Sequence, residues 1–246
     1  MGEESSSVTS GPALLPAPGL VHVWWVPTSA VAQVDRGILS ASERERESRL
    51  LRAADRDRFV VGAALVRRLA GLLSGTAPGR AVVERRCRHC DGDHGPPRLP
   101  GVEISVTHAG GWVGLACARD GLVGLDVEEP GRDLTELAGT VLAPDESCTT
   151  DDLTTRWTRK EAVLKATGLG LTIDPRAVVV EELGSGPRVV RFDRWPDPHR
   201  WTLHALEGPA GYPASLATWS QVPTRVIERW CAQVGETGPG DPRARR

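Results

Sequence analysis

The sequence predicts an α+β protein built of two similar subdomains lying side by side. Three observations lead there. The chain has 246 residues, 40% of them apolar, which is enough for one large domain or two small ones with a sizeable core. Hydrophobic patterns run strand, helices, strands, and then strand, helices, strands again. A turn signal, Asp120-Gly121, falls between the two runs, although no repeat is visible at the level of residues. Two such α+β units pack naturally against one another, and the cleft between them is a common ligand site. The expected divisions are a disordered segment over 1–19, subdomains over 20–120 and 121–233, and a flexible tail over 234–246.

Residues 1 to about 19 are rich in Ser, Gly and Pro and predict disorder. Val21 to Val26 (VHVWWV) reads as a strand. Ser42 to about Ala54 carries mixed charge behind a serine and reads as a helix. Its Arg-rich run, Arg44 to Arg58, is matched almost one for one by Glu and Asp and reads mostly as a solvated face. Arg58 to Leu73 is a second, more apolar helix, whose Arg67 and Arg68 are either solvated or turned to a ligand. Ala81 to Arg86 is a short strand, and 87–101 is a loop. Strands follow over Val102 to Thr107 and Trp112 to Ala118, joined by the turn His108-Ala-Gly-Gly111. Leu122 to Glu129 is the next strand, Arg132 to about Val141 a short helix, and a longer helix begins near Leu153 and stops at Gly168. The remaining strands are Ala177 to Glu182, Arg188 to Phe192, Trp201 to Leu206 and Ala214 to Trp219, with a Gly/Pro/Arg-rich tail from about Gly235.

Charge and cysteine content narrow the function classes. A net charge of −2 offers no global basic field for nucleic acid, so any anion site must be local. No apolar run is long enough to span a bilayer. The first ten residues lack the charged-then-apolar pattern of a signal peptide, and five scattered cysteines do not form a disulfide framework, so the expectation is a cytoplasmic protein. Cys87-x-x-Cys90 with His94, and His89 as a spare, resembles half of a zinc site. Cys148 is the one distant candidate to complete it, so structural zinc is possible but not favoured.

The helix around Thr155 to Gly168 holds both lysines of the chain, Lys160 and Lys165, while every other cation is arginine. An arginine bias explains the absence of lysine elsewhere, but not two lysines in six residues. Lysine is a compact point charge and arginine a planar fork, so this segment reads as a site needing the point charge. Trp157, Glu161 and Lys165 recur at four-residue spacing and share one helix face. The bland alternative is a surface Glu–Lys pair worth about 0.3–0.5 kcal/mol.

In Leu125-Asp126-Val127-Glu128, alternation puts the two carboxylates on one strand face. Side by side they repel unless a cation lies between them. A hard ion such as Mg²⁺, which takes oxygen ligands and substrate phosphate, fits, with Glu161 as a third ligand. The alternative is a solvated acidic face. His108, preceded by Thr107 and followed by a small-residue turn, can donate to a phosphate that approaches the exposed backbone; an ordinary hairpin with an exposed histidine is the alternative. The eight tryptophans belong mainly to the core, except Trp157, one turn before Glu161, which is placed to wall a cleft.

Taken together, Val106-Thr-His-Ala-Gly110, Val123-Gly-Leu-Asp-Val-Glu128 and Trp157-Thr-Arg-Lys-Glu-Ala-Val-Leu-Lys165 resemble the three motif blocks of the surfactin-synthetase type of 4'-phosphopantetheinyl transferase. The resemblance covers about residues 20–220. It implies a monomer of two α+β subdomains related by a pseudo-twofold axis, with coenzyme A bound between them. It also implies transfer of the phosphopantetheine arm to a serine of an apo acyl or peptidyl carrier protein, with release of adenosine 3',5'-bisphosphate. By that resemblance Asp126, Glu128 and Glu161 hold Mg²⁺ in the second subdomain, Glu161 and Lys165 are catalytic, and Glu161 or a metal-bound water takes the serine proton. Thr107, His108, Lys160, Lys165, Arg58 and, less directly, Arg46 bind the coenzyme's phosphates. Two departures stand out. A Gly-(Lys/Arg)-Pro loop is expected before the histidine turn, and Pro96 sits where its cation belongs, with Arg98 as a substitute. The segment between Glu128 and Trp157, where carrier contacts are expected, is short. The competing readings are another Mg²⁺-dependent enzyme acting on a phosphodiester or nucleotide, which needs no coenzyme A, and a non-catalytic binding protein.

Overall fold

A computed structural model describes residues 16–87, 90, 92–146, 150–184, 186–195 and 197–234. The expectations for residues 1–15 and 235–246, and for His89 and Cys148 as zinc ligands, lie outside the described residues. The chain opens with strand β1 (Leu20–Pro27), followed by helices α1 (Ala41–Arg49) and α2 (Ala53–Ser74). Strands β2 (Glu84–Arg86), β3 (Asp93–Arg98), β4 (Glu103–Ala109), β5 (Trp112–Ala118) and β6 (Leu122–Val127) come next. The short α3 (Ala138–Val141) precedes the long α4 (Thr150–Thr167), and β7 (Val178–Leu183), β8 (Gly186–Phe192), β9 (Trp201–Ala205), β10 (Ala214–Trp219) and β11 (Arg225–Trp230) finish the chain. The mixture of helix and sheet is the α+β class that the sequence predicts.

The sheets explain why so many strands are apolar on both faces. One sheet has the order β11-β1-β5-β4 and another β6-β10-β9, with the hairpins β2-β3 and β7-β8 beside them. Helix α2 covers one face of the first sheet, packing Val61, Leu65 and Leu69 with Trp24, Val26 and Leu115. The opposite face of that sheet presents Val23, Trp25 and Ala116 to Val123, Leu125 and Leu216 of the second sheet. Helix α4 covers the far side of the second sheet with Ala162, Val163 and Ala166 against Leu203 and Ala217. Each sheet is therefore sandwiched, as in a strand buried on both faces.

Several boundaries differ from the sequence reading. The expected helix over Ser42 to Ala54 ends at Arg49, and the second helix begins at Ala53 rather than Arg58. Ser40 caps α1, accepting from Glu43 N while Glu43 accepts from Ser40 N, which is a reciprocal capping box. The chain then turns extended at Leu50, and Arg56 Nη1 donates to the carbonyls of Leu50 and Leu51 at 2.9 and 3.1 Å, satisfying groups that a continuing helix would have used. Strand β3 forms inside the segment read as a loop, paired with β2. Strand β4 runs through His108, so the turn itself is Gly110-Gly111. Only the last turn of the helix expected from Arg132 forms, as α3, because Asp133 Oδ1 accepts from Thr135 N at 2.9 Å and sets up a separate turn before it. Residues 16–19 are part of the fold rather than disordered: Pro16 is buried, and Arg225 N donates to the Gly19 carbonyl at 2.8 Å. Val234 at the expected start of the tail is also buried. Strand β11 was not legible, since the adjacent charges Glu228 and Arg229 break the period-2 alternation; it lies parallel to β1, so the last described strand edges the first sheet.

Candidate functional site

Strand β6 and helix α4 bring the acidic and lysine residues together because a glycine lets them touch. A Cβ on Gly124 would stand 1.9 Å from the Ala162 carbonyl oxygen and 2.5 Å from Ala166 N, so only glycine permits this approach of strand to helix. Two residues on, the same face of β6 presents Asp126 to α4. Asp126 Oδ1 accepts from Lys165 Nζ at 2.5 Å, and Lys165 also reaches Thr107 Oγ1 at 3.1 Å. Thr107 in turn donates to Asp126 Oδ1 at 3.3 Å, so β4, β6 and α4 meet in one polar cluster. Glu128, just beyond β6, accepts from Trp157 Nε1 at 2.8 Å and pairs with Arg132. Trp157, Glu161 and Lys165 share the helix face that the spacing predicts, but Lys165 pairs with Asp126 across the fold rather than with Glu161 on its own helix.

The electrostatics of the cluster are those of carboxylates short of a cation. Asp126 is 4% exposed and Glu161 8%. Burial, then the like charges of Asp126 and Glu128, push the Glu161 carboxyl up to about 7, against the opposing pull of Lys165. Burial also raises the Asp126 carboxyl, with Lys165 opposing. Asp126 Oδ2 and Glu161 Oε1 are buried with no hydrogen-bond partner, and orphaned buried oxygens of this kind call for an explanation. Among the described residues no three acidic, histidine or cysteine side chains already form a metal cage; Lys165 pairs with Asp126 and Arg132 with Glu128. The donor set is nevertheless all oxygen, with two orphaned atoms, and fits a hard divalent cation.

Lys165 brings the cluster to a seam between α4 and the β2-β3 hairpin. Three cavities of about 350, 330 and 470 Å³ adjoin there, all with Pro97 in their walls. Lys165 lines the first and third, and Arg46 and Arg85 line the second and third. Arg58 and His108 lie between the second cavity and a further one of about 470 Å³ that includes Glu128 and Arg132. Arg58 donates to the Gly110 carbonyl at 2.9 Å and pairs with Asp55 at 2.5 Å. The Gly110 amide donates to Glu129 Oε1 at 2.8 Å, so the turn beside His108 is held from both sides. His108 keeps a solvent-exposed edge, yet its ring is crowded elsewhere. That burial, then the charges of Lys165 and Arg58, hold its pKa below 6.5. A neutral ring at pH 7 donates through one nitrogen only.

Of the residues singled out in the sequence, Thr107, Asp126, Glu128, Glu161 and Lys165 come together, and Arg46, Arg58 and His108 line the adjoining seam. Lys160 does not join them. Five residues are about 1.4 turns, which sets Lys160 about 140° round the helix from Lys165, and Lys160 is wholly buried on that other face. Its ammonium pairs with Glu146 and donates to the Val141 carbonyl at 2.7 Å and that of Pro175 at 3.4 Å. Expected as a phosphate contact, it is an internal tie between α4, α3 and the turn before β7. Cys87 is buried on the seam and Cys90 exposed. Sequence reasoning missed Arg132, a cation on Glu128, and Glu43, read as part of a solvated face. Glu43 is 2% exposed and pairs with both Arg67 and Arg85. Ser40-x-x-Glu43 was the available signal, since a capping box fixes the first turn and so the side Glu43 faces.

Comparison with known proteins bears on the second half of this arrangement. Residues 122–217 match the family model described as the 4'-phosphopantetheinyl transferase superfamily. The matched stretch runs from the start of β6 into β10 and contains Asp126, Glu128, Glu161 and Lys165. No curated protein matches the chain significantly. No described helix is long and apolar enough to cross a membrane.

Proposed function

We propose that this protein transfers the 4'-phosphopantetheine arm of coenzyme A to a serine of an apo acyl or peptidyl carrier protein, in a Mg²⁺-dependent reaction that releases adenosine 3',5'-bisphosphate. The observation that carries the reading is the convergence of Asp126, Glu161 and Lys165, with Lys165 lining a cavity that Arg46 and Arg85 also line. The family match over 122–217 supports phosphopantetheine transfer as the chemistry. In this reading residues 20–120 and 121–233 are the two subdomains of a pseudo-twofold fold, each with a long helix on a sheet, and β11 of the second crosses back to edge the first sheet. The protein is a cytoplasmic monomer.

Each side chain has a part that its position supports. Asp126, Glu128 and Glu161 would hold the ion, which when bound offsets charge on the diphosphate and the leaving group. Lys165 is a point donor to the charged oxygens at the reacting end. Arg58, Arg46 and His108 orient the nucleotide from the opposite wall, so that the serine oxygen and the phosphorus start close and aligned. The serine oxygen forms the new P–O bond, the bond to the adenosine 3',5'-bisphosphate breaks, and the serine proton passes to Glu161. Without the ion, burial and the neighbouring carboxylates push the Glu161 carboxyl up to about 7; a bound cation would lower it, so Glu161 serves as the base only where it is not a tight ligand. A tight metal ligand is a poor base, so a kcat that rises through pH 7 in wild type and loses that limb in Glu161→Gln assigns the proton to Glu161.

Release of adenosine 3',5'-bisphosphate from coenzyme A, followed by chromatography, tests the reaction. Release that requires both Mg²⁺ and an apo carrier is expected. Release without any carrier, or hydrolysis of simple phosphodiesters at a similar rate, would move the assignment to a general Mg²⁺-dependent phosphodiesterase.

A further inference from the structure

Position 96 of β3, where the family resemblance implies a cation, is a proline, and the strand beside it supplies one. Pro96 and Pro97 lack the amide hydrogens that a ladder uses. The pairing of β2 with β3 jumps accordingly: Glu84 faces Arg98, but Arg86 faces Asp93, so the extra residues of β3, Gly95 to Pro97, bulge opposite Arg85. A Cβ on Gly95 would meet the Arg86 carbonyl oxygen at 2.5 Å, so the bulge lies directly on the backbone of β2. Bulges re-aim side chains next to sites. Arg85 lines both the cavity with Arg58 and His108 and the cavity with Lys165.

Its anchoring makes Arg85 a fixed donor rather than a loose surface charge. Nε and Nη2 both donate to Glu43 Oε1 at 3.3 Å. Glu43 Oε2 is taken by Arg67 and by the Ser40 amide at 2.8 Å. Arg67 is itself fixed to the Ala81 carbonyl at 3.2 Å. Two guanidiniums thus share one carboxylate, and Arg46 adds a further positive field at Arg85. The cluster carries an excess of positive charge at the wall of a cavity. A guanidinium has five N–H donors, and those that Glu43 does not use are free to form a charge-assisted bond to an anion.

We infer that Arg85, clamped by Glu43, is a phosphate-binding residue for coenzyme A and takes the place of the cation missing at Pro96. Glu43 is its positioning residue. The inference rests on the proposed function, and calorimetric titration of the full-length protein with coenzyme A separates the two. Wild-type binding with at least a tenfold weaker dissociation constant in Arg85→Met, and an unchanged melting curve, is expected. Arg85→Lys, which keeps the charge but loses the fork, is expected to fall between the two. Glu43→Gln is expected to raise KM for coenzyme A with little change in kcat. Equal binding by wild type and Arg85→Met overturns the inference and leaves the transferase reading standing. Should Arg85→Met fail to fold, equal binding by Arg85→Lys and wild type overturns it instead. No binding of coenzyme A by wild type overturns the transferase reading, and the inference with it.

Discussion

The two walls of the seam are built by the same means and carry opposite equipment. On one side α2 lies on the sheet β11-β1-β5-β4; on the other α4 lies on β6-β10-β9. The first wall offers arginines fixed by carboxylates, as Arg58 is by Asp55 and Arg85 by Glu43. The second offers carboxylates short of a partner and one lysine, with two buried oxygens unpaired. Planar forks suit a ligand that is to be held and oriented, whereas a point charge beside crowded carboxylates suits a place where charge changes. On the proposed function, the difference separates a binding wall from a reacting wall.

The largest expected effect is loss of the reacting wall's chemistry. Lys165→Ala and Glu161→Ala should each lower transfer by about a thousandfold or more while the melting curve stays cooperative. Near-normal turnover in either folded variant would break the comparison. Lys160→Met should do the reverse. It removes one of the two cations beside Glu146, which keeps Arg156 at 3.6 Å and the amides of Ala143 and Val180, and should cost about 1–3 kcal/mol of stability. The folded fraction, assayed at low temperature, should keep turnover within about threefold. A Lys160→Met protein that is stable and inactive would return this lysine to the site.

Glu161 gives a smaller effect with a definite sign. Its carboxyl titrates at about 7 when folded, against 4.5 as the ordinary value. Between those values the folded state binds more protons than the unfolded one. The stability tied to the protonated form is thus complete below pH 4.5 and lost as pH rises through 7. In metal-free protein Glu161→Gln should be more stable than wild type at pH 8 by up to about 3 kcal/mol, with the gap closing toward pH 4.5. Urea titrations at both pH values check this. A variant less stable than wild type at pH 8 would show that the carboxylate is already compensated. Removal of residues 1–15, Ser/Gly/Pro-rich in sequence, should leave turnover unchanged, and a large loss would bring that segment into the site.

Much of the reacting wall was legible in the sequence because its residues are ordered by local periodicity. Alternation put Asp126 on one face of β6, and four-residue spacing put Trp157, Glu161 and Lys165 on one face of α4. The binding wall was harder to read because long-range contacts set it. Glu43 lies in a run of matched charges, and nothing local distinguishes it from Glu45 or Glu47 except the cap with Ser40. Arg85 becomes relevant only once Pro96 and Pro97 force a bulge opposite it. Lys160 misled for a related reason: its rarity marked it equally with Lys165, but burial against Glu146 depends on a segment 14 residues away. Strand β11 needed a parallel partner some 200 positions earlier in the chain, and only contacts such as Trp25 Nε1 to Glu228 Oε2, with |i−j| of 203, reveal it.

The most direct test of the central claim is the intact mass of an apo carrier protein after incubation with this protein, coenzyme A and Mg²⁺, beside an EDTA control and the Lys165→Ala variant. A gain of one phosphopantetheine mass with wild type and Mg²⁺, absent from both controls, is the predicted result. No gain across fatty-acid, polyketide and nonribosomal-peptide carriers, from a protein that also fails to bind coenzyme A, would contradict it.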